Sequence, residues 1–135
     1  MGDIKKLFGT DPEKEKDGVW QPVGDGMEIK VAKLNNPTYN KRFEFLTKPY
    51  RRALRKGTLS NDVAESLMIQ CLAETILLDW KGLEEKGKVV KYSVENAIKL
   101  LTDYPEFRGT INDIANELAI FQEIEDEEAA ENLKK

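Results

Sequence analysis

Cys71 is the one thiol in this 135-residue chain, and the chain contains no histidine to serve as its base. A nucleophilic thiolate needs a basic neighbour that lowers its pKa. Cys71 instead falls one turn after Leu67 and beside Leu72, in an apolar pattern that suits a small buried hydrophobe. The lack of histidine also removes the commonest general base and transition-metal ligand, and one cysteine cannot build a thiolate zinc site.

Asp62, Glu65, Asp79, Glu84 and Glu85 include carboxylates that could pair as acid and base. A chain with 25 acids supplies such pairs by chance, so they read as solvated surface. Gly24-Asp25-Gly26 is followed neither by Gly-Lys-Ser/Thr nor by the start of a helix, and reads as a hairpin turn. The run from Glu123 to Glu128 lacks the alternating ligands and the central glycine of a calcium loop. The expectation is a protein that is not an enzyme and holds no cofactor or metal.

What remains is the segregation of charge. Residues 41–56 carry seven Lys or Arg against one acid, and residues 123–131 carry six acids and no base. Solubility needs no such blocks, because interspersed charges serve equally well. Lys48, Arg51, Arg52, Arg55 and Lys56 recur at spacings of 3 and 4 and would share one broad helical face, with Tyr50 and Leu54 between them. Two readings stand for this block: a solvated face paired with acids of the same molecule, or a docking surface for an acidic partner such as the tail of a neighbouring copy. The matching acids are Glu123, Glu125, Asp126, Glu127, Glu128 and Glu131. No nucleic acid partner is expected, since the block lacks interleaved aromatics and the net charge is −4.

The length suits one domain with its own core. A hydrophobic fraction of 40% and a charged fraction of 34% describe a soluble, polar globule. A lone cysteine and a start without a charged-then-apolar leader point to the cytoplasm. Apolar stretches such as residues 118–121 are far below the roughly 18 residues of a membrane span, so no membrane partner is expected.

The elements that must position these groups follow from local signals. Residues 1–17 read as a mobile segment, with Ile4, Leu7 and Phe8 able to make a short amphipathic turn. Residues 19–23 and 27–31 read as a β-hairpin around Gly24-Asp25-Gly26, with Pro22 confining the first strand to an edge. Asn36 and Pro37 start a helix that runs to about Lys56 and stops at Gly57, with a break near Pro49. Ser60 or Asp62 caps a central helix in which Val63, Ala64, Leu67, Met68, Cys71, Leu72, Ile76 and Trp80 fall at 3 and 4 spacing.

Gly82 and Gly87 bracket a charged loop, Ser93 caps a short helix that ends at Asp103-Tyr104-Pro105, and Pro105 opens the last helix. From about Glu125 the chain reads as a fraying helix or a disordered tail. Trp20 and Trp80 read as core anchors, the former holding the hairpin against the helices. The expected architecture is a mainly α domain over residues 18–124 with a short N-terminal β-hairpin, followed by an acidic tail over residues 125–135.

The order of several segments resembles the tail assembly chaperones of long-tailed bacteriophages. They are Gly18-Val19-Trp20 with Val23-Gly24-Asp25-Gly26, Asn36-Pro37-x-Tyr39, and Lys48-Pro49-Tyr50-Arg51-Arg52. Further along come residues 73–80, Tyr92-Ser93, and residues 103–108. The resemblance spans residues 18–125 and lies in order and spacing, with no chemical signature behind it. It implies a small, mainly helical protein of the host cytoplasm that binds the tape measure and tail tube proteins during assembly. It also implies self-association and absence from the finished virion. A self-associating structural or adaptor protein, joined through the basic and acidic blocks, is the competing expectation.

Overall fold

The computed structural model describes residues 18–134, so the expectation for residues 1–17 lies outside the described residues. The chain is mainly α, and two strands open the fold. β1 (Val19–Gly24) and β2 (Met27–Val31) form the antiparallel hairpin, pairing Val19 with Val31 and Gln21 with Ile29. β1 is the edge strand, as Pro22 requires, because proline has no N–H to give a second neighbour.

Asn36 caps α1 (Pro37–Thr47) by accepting the Tyr39 N–H at 2.8 Å. A 3₁₀ turn over Lys48–Tyr50 carries Pro49 and breaks the helix, and α2 (Arg51–Lys56) resumes it. α2 ends at Gly57, whose φ of 67° closes the helix in the left-handed conformation. Ser60, rather than Asp62, caps α3 (Asn61–Thr75), accepting the Val63 N–H at 3.3 Å.

The expected continuation of α3 to Trp80 is not what forms. The helix stops at Thr75, and Leu77–Lys81 becomes β3, antiparallel to β2, so the hairpin grows into a sheet of order β1-β2-β3. Val31 pairs with Leu77 and Lys30 with Asp79, which leaves Leu78 as an extra residue on β3. Such a bulge shifts the alternation by one position. Leu77 and Trp80 are therefore both buried although three residues apart, a spacing that imitates a helix in sequence.

The charged loop between Gly82 and Gly87 is also more ordered than expected. β4 (Glu84–Glu85) and β5 (Lys88–Val89) pair as a small hairpin, with Lys86 and Gly87 at φ of 53° and 82° in its turn. Ser93 caps α4 (Val94–Asp103), and Pro105 opens α5 (Pro105–Lys134). α5 runs as one helix to Lys134, so the acidic residues lie on a helix and not on a disordered end.

The core gathers around the second half of α3. Ile69, Leu72 and Ala73 meet Ile29 and Val31 of the sheet, Leu100 and Leu101 of α4, and Ile111 and Ala115 of α5. Trp80 is 5% exposed, donates from Nε1 to the Val90 carbonyl at 2.7 Å, and meets Tyr92 edge-on at 4.9 Å between centroids. Trp20 departs from its expected role. It is half-buried, and the Lys81 ammonium of β3 lies 4.2 Å from its ring centroid, a cation–π contact within the sheet.

Gly82 holds two hairpins in close contact. Its φ is 68°, and a Cβ there would lie 2.6 Å from the Gly26 carbonyl oxygen, which is backbone and cannot swing away. Gly82→Ala is expected to destabilise the domain by about 1–3 kcal/mol, from left-handed strain plus that clash. Chemical denaturation checks this; a stability equal to that of the parent would refute the close approach.

Candidate docking surface

Several of the chemistry-bearing residues considered from sequence have a local structural role. Cys71 is fully buried; its Sγ lies 3.8 Å from the Tyr39 carbonyl and 4.0 Å from Thr75 Oγ1. Burial pushes its thiol pKa up, away from the thiolate that a nucleophile requires. Glu65 pairs with Arg108 at 2.6 Å, Asp79 accepts the Trp80 N–H at 2.8 Å, and Glu85 accepts the Tyr104 hydroxyl at 2.8 Å. Glu85 holds that phenol in its protonated, donating form, and the Tyr104 pKa is raised accordingly. Glu84 and Glu85 border an apolar cavity of about 260 Å³ floored by Met27, Leu83, Leu100 and Phe107.

The exposed face of α1, the 3₁₀ turn and α2 is different in kind. α1 has no buried residue over its length. It is held to α3 by the Arg42 guanidinium, which binds both carboxylate oxygens of Glu74 at 2.5 and 3.1 Å. Tyr39 packs on the core and stacks on Phe43, with centroids 5.9 Å apart. This attachment leaves Phe43 at 42%, Phe45 at 65%, Tyr50 at 37% and Leu54 at 48% exposure. Large apolar side chains left open together mark interaction surfaces more often than scattered ones do.

Lys48, Arg51, Arg52, Arg55 and Lys56 are all exposed on this same stretch. Arg51 meets Glu44 at 3.4 Å, an exposed pair of little energetic weight. Among the described residues, Lys48, Arg52, Arg55 and Lys56 form no ion pair. Of the two sequence readings, self-pairing therefore accounts for Arg51 and leaves four cations unaccounted for.

Sequence reasoning placed Tyr50 among the basic residues but did not count Phe43 and Phe45 with them. Phe43, Phe45 and Tyr50 lie within the basic stretch and are open to solvent. A signal was present: Tyr39, Phe43 and Leu46 follow helical spacing, whereas Phe45 falls off that stripe.

The acidic block lies on the far part of α5. Gln122 is the last buried residue of that helix among the described residues. Beyond it Glu123, Asp126, Glu127, Glu128 and Glu131 are exposed and Glu125 is half-buried. None of the six pairs with a base among the described residues; Asp126 accepts the Gln122 amide at 3.3 Å. Ion pairs do not join the two blocks within one chain.

No helix among the described residues is long and apolar enough to cross a membrane. The molecule is thus a small, mainly α protein with a three-stranded antiparallel sheet and an open, basic, aromatic helical face. It belongs to the YdaY prophage protein family, whose model matches residues 34–132, and its origin is phage-related. No curated protein and no solved structure matches the chain.

Proposed function

We propose that this chain is a tail assembly chaperone of a long-tailed phage, acting in the host cytoplasm by binding and not by catalysis. Its clients are the tape measure and tail tube proteins, held during assembly and released before the virion is complete. The observation that carries this reading is the α1–α2 face, where open aromatics sit among four cations with no ion pair among the described residues. Such a face suits an amphipathic client helix with acidic flanks: the apolar side chains supply affinity and the cations set orientation. The prophage family and the resemblance of residues 18–125 to tail assembly chaperones support the same reading.

Co-expression with the tape measure protein tests it. The client is expected to remain in the soluble fraction with the chain and to precipitate without it. A client equally insoluble in both cases would overturn the proposal. A self-associating adaptor is the second reading, favoured by the separate basic and acidic blocks, and needs no client.

A further inference from the structure

The second half of α5 carries a pattern beyond its bare negative charge. Ile120, Glu123, Ile124, Glu127, Glu128 and Glu131 follow spacings of 3 and 4, so one helical face presents two isoleucines with one acid between them and three acids beyond. Ile120 is 48% and Ile124 49% exposed. The stripe runs over eleven residue steps, about 16 Å of helix. The stretch over α1 and α2 is its complement in charge and apolar content: Phe45 and Leu54 are exposed, and so are Lys48, Arg52, Arg55 and Lys56.

We infer that the acidic end of α5 in one copy docks on the basic, aromatic face of a second copy. The inference rests on the reading of that face as a docking surface, and makes the chain's own helix the competitor of a client for it. Four acids meet four cations that have no ion pair within their own chain among the described residues, and Ile120 and Ile124 cover aromatic surface that is otherwise wet. The two surfaces differ, so the contact is heterologous unless two copies exchange helices reciprocally.

Sedimentation velocity of the full chain tests this with two charge-reversed variants, Arg52→Glu/Arg55→Glu and Glu127→Lys/Glu128→Lys. The parent is expected to associate in about 0.1 M salt and to dissociate toward about 1 M, where the Debye length falls from about 10 to about 3 Å. Each variant alone should associate at least about tenfold more weakly, and an equal mixture of the two should recover association, because each then meets an opposite charge. Circular dichroism confirms that both variants keep their helix content. A monomeric parent, variants that associate like the parent, or a mixture that fails to recover would each overturn the inference. The experiment contains no tail protein, so its failure leaves the chaperone reading standing, and a failed co-expression leaves this inference standing.

Discussion

Trp80→Ala is expected to destabilise the domain by about 3–5 kcal/mol, a large part of the roughly 5–15 kcal/mol that holds a domain of this kind together. Three losses combine. The substitution opens a cavity between the sheet and the 82–92 segment where a 5% exposed indole now sits. It removes the edge-on contact with Tyr92 at 4.9 Å and leaves the Val90 carbonyl without its donor at 2.7 Å. Tyr92 is itself tied to β3, its hydroxyl donating to the Leu77 carbonyl at 2.7 Å, so disturbance there passes back into the sheet. Trp80→Phe separates the contributions: it keeps most of the ring and deletes the donor, and should cost about 1–3 kcal/mol. Urea denaturation measures both, and a Trp80→Ala loss below about 1 kcal/mol would show that the indole is not a core anchor.

The second large effect concerns binding. Under the proposed chaperone function, Arg52→Glu with Arg55→Glu is expected to weaken capture of the tape measure protein by about a hundredfold or more, since two attractive contacts would become two repulsive ones. Arg52 and Arg55 are chosen because Arg51 is already engaged by Glu44, whereas these two have no acid among the described residues. The fold should be nearly indifferent, because both side chains are exposed. Arg55 lies in the last turn of α2, where a cation favours the helix dipole, so its reversal costs at most about 1 kcal/mol. Pull-down of the client against a thermal melt reads the two quantities separately. Unchanged capture would remove these arginines from the docking surface, and a collapsed melt would give them a structural role instead.

Much of the helical framework was legible because its signals are local. A cap needs only a side-chain oxygen and an N–H three residues on, which is why Asn36, Ser60 and Ser93 mark helix starts in sequence and in structure alike. Pro49, Gly57 and Pro105 act through their own backbone geometry and likewise break, end and begin helices where expected. The basic block was equally legible as a helical face. That four of its cations lack an ion pair among the described residues was not, because pairing depends on which distant acids the fold brings near.

The sequence by itself determined the helix starts, the helix end at Gly57, the N-terminal hairpin with its proline edge, and the separation of basic from acidic residues, all consequences of neighbours within a few residues. Only the tertiary structure decided the fate of residues 76–81. Their 3 and 4 spacing continues that of α3, yet the free edge of β2 pairs with them as a third strand, and the bulge at Leu78 turns Leu77 and Trp80 to the same side. Phe45 was decided in the same way: whether an aromatic is core or surface depends on what the helix packs against, and α1 packs on α3 through Tyr39 and Arg42, leaving Phe45 outside.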